Sequence, residues 1–240
     1  MDIKNVVLNE ANDSSLTIYQ SNTNVALPGI VIIAGGSYKK LQERDTERVA
    51  LKFATQAFQA FVVNYPVENQ KSYTAAKEAI TQAFSYIVDH ASQFQVDPSK
   101  LGIIGFSAGG QLAAAYSNQP DTLAQFTLLG YPVITPTLDE KMGVTSEDVS
   151  QLVSSATPPT FIWGAIDDQV TPFLDHIHVY AQALAKNNVS FEMHEFATGG
   201  HGMALANKWT SVVNKERMDE HMSRWFPLGI EWLQKMNEEN

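Results

Sequence analysis

Five short runs in this chain are apolar almost throughout: Ile30–Ala34, Ala60–Val63, Leu101–Ile104, Phe126–Leu129 and Thr160–Trp163. A strand with one wet face alternates apolar and polar residues. A run without alternation needs apolar cover on both faces. Segments of helical period lie between these runs. Asp45 to Phe58 carries Val49, Leu51, Phe53, Ala54 and Phe58. Ser72 to Phe94 carries Ala76, Ala79, Ile80, Ala83, Phe84 and Ile87, Ala108–Tyr116 is rich in small residues, and Phe173–Lys186 and Trp225–Met236 follow. Strands that alternate with helices of this length build parallel βαβ units with right-handed crossovers. The expected fold is therefore α/β, a doubly wound and mostly parallel sheet flanked by helices. Val6–Leu8 and Leu16–Tyr19 open the strand set and Ser190–His194 closes it.

A length of 240 residues fits one such domain, 1–240, without a large cap. The one irregular stretch is Tyr131–Pro159, with Pro132, Pro136, Pro158 and Pro159 and a short helical pattern near Glu147–Val153. It is too short for a second domain and long enough to wall a pocket.

In such sheets ligands bind beyond the carboxyl ends of the strands. Four glycine-rich or acidic loops are expected at that edge. Leu101–Ile104 runs into Gly105-Phe106-Ser107-Ala108-Gly109-Gly110, a G-x-S-x-G between a strand and a helix. A sharp turn there projects a serine hydroxyl, and the following N–H, that of Ala108, opens a helix and suits a developing oxyanion. Gly199-Gly200-His201-Gly202 lies beyond the last strand, where a histidine base can reach the serine from a tightly turning loop. Between them, Gly164-Ala165-Ile166-Asp167-Asp168-Gln169-Val170-Thr171-Pro172 supplies a carboxylate in the order serine, acid, histidine. Counting from the glycine selects Asp167, and counting back from Pro172 selects Asp168. Gly35-Gly36-Ser37-Tyr38 ends the Ile30–Ala34 strand and offers the N–H groups of Gly36 and Ser37 as partners to that of Ala108.

With Ala34-Gly35-Gly36-Ser37-Tyr38, Asn64-Tyr65-Pro66-Val67, the G-F-S-A-G-G elbow and the Trp163–Pro172 segment, the chain resembles the α/β-hydrolases. The likeness is to their acetyl-esterase and feruloyl-esterase-like branch of small bacterial carboxylesterases. It extends from about Ile30 to Gly202. In that branch the second acidic position of the Trp163–Pro172 motif is the constant one, which favours Asp168. The resemblance implies a Ser107–His201–Asp168 triad and an oxyanion hole from Gly36, Ser37 and Ala108. It implies hydrolysis of short-chain acyl esters, acetylated carbohydrates among them, through an acyl-enzyme. Ser37 stands where the branch has glycine. Gly164 stands where it has histidine, which would open space in the pocket.

Other functions are weighed on the same residues. A small amidase or peptidase would use the same triad. A non-catalytic binding protein would be expected to lose a triad member. The chain has no cysteine, so disulfides, thiolate catalysis and cysteine-bound metal are excluded. Neither a cofactor nor a metal is expected. Asp175-His176-Ile177-His178 places its histidines two apart, which on a helix face different ways; a solvated helix face is expected there. A net charge of −10 repels phosphate backbones and anionic lipid, so the expected partner is a small-molecule ester, with neither nucleic acid nor membrane. The N-terminal residues Met1-Asp2-Ile3-Lys4-Asn5 do not read as a signal peptide, and a cytoplasmic location is expected.

Overall fold

The computed structural model describes residues 1–208 and 217–238. Its strands are β1 (Asp2–Asn9), β2 (Ser14–Gln20), β3 (Leu27–Ile33), β4 (Gln59–Asn64), β5 (Val96–Phe106), β6 (Thr127–Gly130), β7 (Thr160–Ala165) and β8 (Phe191–Phe196). Its helices are α1 (Glu47–Ala54), α2 (Tyr73–Asp89), α3 (Ala91–Phe94), α4 (Ala108–Ser117), α5 (Asp139–Met142), α6 (Ile177–Lys186) and α7 (Trp225–Glu238). The strands form one sheet in the order β1-β2-β4-β3-β5-β6-β7-β8. From β4 to β8 all neighbours are parallel; β2 runs antiparallel to both β1 and β4.

The unalternating apolar runs have the expected cause. On β3, Val31 and Ile33 enter one core cluster and Ile30 and Ile32 the other. On β4, Phe61 and Val63 divide from Ala60 and Val62 in the same way. Both faces of each strand are therefore covered. The first cluster includes Phe84 of α2, Leu112 of α4 and Tyr180 of α6. The second includes Phe53 of α1 and Trp225 and Trp232 of α7. Trp163 of β7 stacks on Trp225 with ring centroids 4.0 Å apart and planes 11° apart.

Several boundaries differ from the sequence reading: β1 and β5 begin earlier than the patterns of Val6–Leu8 and Leu101–Ile104, and α1 is shorter than the stretch from Asp45 to Phe58. The helical stretch from Ser72 breaks at His90, which ends α2 and precedes the single turn α3. Helix α6 begins at Ile177 rather than Phe173, with His176 as its N-cap residue. The Tyr131–Pro159 stretch holds α5 and two 3-10 turns, Pro136–Leu138 and Val149–Leu152. Among the described residues no helix is long and apolar enough to cross a membrane.

The strand order positions the site. β3 and β5 are parallel neighbours, with Ile33 opposite Gly105. The loops that leave their carboxyl ends, Ala34–Tyr38 and Phe106–Ala108, are therefore side by side. β7 and β8, two and three strands away, deliver their loops to the same edge.

Candidate active site

Ser107 occupies a strained turn, with φ 54° and ψ −121°. A non-glycine residue reaches this region only when its surroundings force it. The force here is steric. A Cβ on Gly109 would lie 2.3 Å from the Ile33 carbonyl oxygen and 2.4 Å from that of Ala34. A Cβ on Gly105 would lie 2.2 Å from the Gly109 carbonyl oxygen. The glycines let β5, α4 and the end of β3 meet without a gap. Ala108 is the first residue of α4, where a backbone N–H has no intrahelical acceptor and the helix dipole favours negative charge. The serine backbone is tied down as well: its N–H donates to Gly130 O at 3.0 Å, and its C=O accepts from Val133 N–H at 3.0 Å.

The Ser107 Oγ lies 2.8 Å from His201 Nε2, and His201 Nδ1 lies 2.7 Å from Asp168 Oδ2. Asp168 is 3% exposed, so its charge depends on the donors around it. Val170 N–H and Thr171 N–H donate to its Oδ1 at 2.7 and 3.0 Å, and the Thr171 hydroxyl donates to Oδ2 at 2.8 Å. Burial raises its pKa, but the His201 hydrogen bond, the His201 charge and the two backbone N–H groups outweigh that. The carboxyl is held below its ordinary value. An ionised Asp168 accepts the Nδ1 proton of His201 and leaves Nε2 bare toward the serine hydroxyl, the tautomer a base needs.

The structure thus brings Ser107, His201 and Asp168 into one hydrogen-bonded chain and leaves Asp167 outside it. Asp167 is exposed, and its Oδ1 accepts from Gly200 N–H at 2.8 Å, one residue before the histidine. The adjacent aspartates divide the work: one contacts the imidazole, the other its loop.

On the other side of Ser107, Gly36, Ser37 and Tyr38 all have positive φ, 132°, 55° and 57°. A side chain at Gly36 would strike the Lys40 carbonyl, its Cβ only 1.9 Å from that oxygen, so glycine is required there. Ser37 adopts a left-handed conformation that a glycine would adopt without cost, and it keeps its backbone N–H.

Several side chains that support the site were not singled out from sequence. Tyr131 is buried beneath His201, ring centroids 5.0 Å apart and edge to face, and its hydroxyl accepts from Ala204 N–H at 2.8 Å. Arg217 donates to the carbonyl oxygens of His201 and Gly202. Asp45 is 1% exposed, with Oδ2 accepting from Gly35 N–H at 3.0 Å. Burial pushes its carboxyl up to about 6, against the pull of Arg44, the Gly35 N–H, His201 and Arg217.

Two expectations are corrected. Gly164 opens no space, because a Cβ there would lie 2.4 Å from Ile177 Cδ1; the isoleucine fills the volume. His176 is not on a solvated face. It is fully buried, and its Nδ1 accepts from the N–H groups of Ile134 and Thr135 at 3.2 and 3.3 Å. His178 is partly exposed and pairs with Glu195 at 2.6 Å.

A sheet of this order, with a serine elbow after β5, an acid after β7 and a histidine after β8, defines an α/β-hydrolase, and the chain belongs to that class. Within the chain, residues 16–127 match the BD-FAE family model. The carboxylesterase Cest-2923 of Lactobacillus plantarum superposes with a TM-score of 0.91 at 26% identity, covering 99% of this chain and 98% of that one. An endo-1,4-beta-xylanase B of Butyrivibrio fibrisolvens is 29% identical over 88% of this chain and 36% of its own length. An acetylxylan esterase of Xylanibacter ruminicola is 27% identical over 73% of this chain and 41% of its own. The chain therefore spans less than half the length of these two curated relatives.

Proposed function

We propose that the protein is a serine carboxylic ester hydrolase for short-chain acyl esters, acetylated carbohydrates among them. The observation that carries this reading is the continuous chain from Ser107 Oγ through His201 to the buried Asp168. In the proposed cycle the Ser107 oxygen attacks the ester carbonyl while His201 Nε2 takes its proton. The tetrahedral oxyanion is held by the N–H groups of Ala108, Gly36 and Ser37. His201 returns the proton to the departing alcohol, leaving Ser107 acylated. Water, deprotonated by the same imidazole, then releases the carboxylic acid. Asp168 keeps the imidazole oriented throughout.

The acyl preference is supported by the make-up of the Tyr131–Pro159 insertion, which among the described residues offers no long apolar cover: it mixes apolar residues with Thr135, Asp139, Glu140, Lys141, Glu147 and Asp148. Each methylene that enters an apolar groove contributes about 0.8 kcal/mol, and that gain ends where the groove ends. The carbohydrate part is supported by the acetylxylan esterase among the relatives.

The test is kcat/KM for p-nitrophenyl esters from acetate to palmitate, then acetate release from acetylated xylo-oligosaccharides. Activity should peak at short chains, and Ser107→Ala should lower kcat by about a millionfold while leaving the fold intact. A folded Ser107→Ala protein with near-normal activity would overturn the mechanism. A maximum at palmitate would overturn the acyl preference.

A further inference from the structure

The loop beside Ser107 is held peptide by peptide. The Gly36 carbonyl accepts from Lys39 N–H at 3.0 Å, and the Gly35 carbonyl from Gln42 N–H at 3.0 Å. In a trans peptide the N–H points opposite to the C=O. Fixing these two carbonyls on one side therefore aims the N–H groups of Gly36 and Ser37 to the other. The peptide that starts this sequence, Ala34–Gly35, is held differently. Its C=O accepts from the Tyr65 hydroxyl at 2.7 Å, and its N–H donates to Asp45 Oδ2 at 3.0 Å. One peptide plane is thus gripped at both ends by buried side chains from two segments.

That peptide has no room to spare. A Cβ on Gly35 would lie 2.8 Å from the Phe106 carbonyl oxygen and 3.1 Å from the Ser107 Cβ. A Cβ on Gly109 would lie 2.7 Å from the Ala34 carbonyl carbon. A rotation of the Ala34–Gly35 plane would be passed directly to Gly36 and Ser37 on one side and to the nucleophile on the other.

We propose that Asp45 and Tyr65 form a two-point clamp on the Ala34–Gly35 peptide, as positioning residues that set the oxyanion loop against Ser107. The assignment rests on the esterase reading above. It gives a task to Tyr65 in Asn64-Tyr65-Pro66-Val67, which the triad leaves without one. β4 lies beside β3, with Val63 opposite Ile33, so the residue just past its end reaches the Ala34 carbonyl. Both members are chemically suited. Burial, with Asp45 nearby as the smaller cause, holds the Tyr65 phenol far above its ordinary pKa, so it stays a donor. Asp45 can accept from Gly35 N–H in either ionisation state. Tyr65 also meets Tyr38 edge to face, ring centroids 5.9 Å apart, and Tyr38 donates to the buried Gln111 of α4 at 2.9 Å. The clamp is thereby braced against the helix that follows the nucleophile.

The experiment compares Tyr65→Phe, Asp45→Ala, Asp45→Asn and the double variant Tyr65→Phe/Asp45→Ala, each normalised to its folded fraction. Two readouts are taken on a short acetyl ester: the kcat and KM split, and the Ki of a trifluoromethyl ketone. That ketone forms a tetrahedral oxyanion on the serine; the matching methyl ketone, which stays trigonal, is the control. Tyr65→Phe should lower kcat by about tenfold and Asp45→Ala by about a hundredfold, with KM within about twofold. The trifluoromethyl ketone should weaken in parallel and the methyl ketone should not. Asp45→Asn, which keeps an acceptor for Gly35 N–H, should recover most of the loss. Because both groups hold one peptide, the double variant should lose far less than the product of the singles.

The clamp is overturned if Tyr65→Phe and the folded Asp45 variants keep kcat and trifluoromethyl ketone affinity within about twofold. It is overturned equally if both ketones weaken together. Should Asp45→Ala fail to fold, Tyr65→Phe and Asp45→Asn decide the matter by the same two readouts. A wild-type protein that neither hydrolyses esters nor forms the ketone adduct at Ser107 would overturn the esterase reading itself, and the clamp with it.

Discussion

Asp168→Asn is the most discriminating single substitution at this site, because the surrounding donors dictate how the new amide must sit. Asp168 Oδ1 accepts from two backbone N–H groups, at 2.7 and 3.0 Å, while Oδ2 faces the Thr171 hydroxyl and His201 Nδ1. An asparagine has one acceptor and one donor end. With its NH2 toward the backbone, two buried N–H groups would lose their acceptor, at about 1–3 kcal/mol each. With its NH2 toward His201, the imidazole need only shift its proton from Nδ1 to Nε2. A neutral imidazole does so at little cost, so this second arrangement wins. It is also the inactive one. Nε2 then carries a proton toward Ser107 and cannot accept another. In the serine proteases the same wrong tautomer costs about ten-thousandfold in kcat, which corresponds to about 5.4 kcal/mol of transition-state stabilisation. Asp167→Asn is the internal control. Its carboxylate accepts from Gly200 N–H at 2.8 Å, a bond that needs only an acceptor, which the asparagine carbonyl supplies. That variant should stay within about threefold of the wild type. The assay is kcat/KM on p-nitrophenyl acetate, normalised by active-site titration with a fluorophosphonate. If Asp168→Asn retained a tenth of the activity, or Asp167→Asn lost more than Asp168→Asn, the assignment of the acid would be refuted.

The elbow and the buried Asp45 give two further expectations. Gly109→Ala should abolish activity and destabilise the fold by more than about 3 kcal/mol, because its Cβ would meet two backbone carbonyl oxygens that cannot swing away; urea melts and kcat would show both effects. Asp45 has a folded pKa of about 6 against 3.8 in a free side chain. Between those values the folded protein keeps a proton that the unfolded chain has released, so this group's contribution to stability falls as pH rises from about 4 to about 6, then levels off. The difference corresponds to on the order of 3 kcal/mol. The Asp45→Asn variant, still facing Arg44, Arg217, His201, Tyr65 and Tyr131, cannot ionise. Its thermal midpoint should gain on the wild type across that window, and a constant gap from pH 4 to pH 7 would contradict the argument.

The sheet was legible because burial on both faces erases alternation. Ile30, Val31, Ile32 and Ile33 could be read as a central parallel strand before any neighbour was known, and they divide between the two core clusters accordingly. Edge strands offer no such signal. β1 runs from Asp2 to Asn9, yet only Val6–Leu8 could be read, because Asp2, Ile3, Lys4 and Asn5 are exposed and no core dictates their pattern. Ser107 and His201 were legible as candidates because reactive groups on tight turns require glycines beside them. The choice between Asp167 and Asp168 was not legible from spacing alone. Both follow β7, and only the placement of Thr171 and of the Gly200 amide distinguishes their tasks.

The failure at His176 has a single cause. An i, i+2 argument presumes that both histidines lie within a helix, and α6 starts one residue after His176. The segment before it curls inward, and the imidazole becomes a buried acceptor for the Ile134 and Thr135 amides. A boundary error of four residues thus became an error about burial. Asp45 was hidden by the same kind of error. Read as the start of a helix it is an ordinary exposed acid, but it ends a 3-10 turn, Glu43–Asp45, two residues before α1, and its carboxyl points at Gly35. Tyr65 and Asp45 lie 31 and 10 residues from the atoms they hold. Nothing in local sequence links them; the link is the adjacency of β3 and β4, which exists only once the strand order is known. Residues that react can be found from the turns they need, whereas residues that hold those turns in place are found only from the neighbours the sheet gives them.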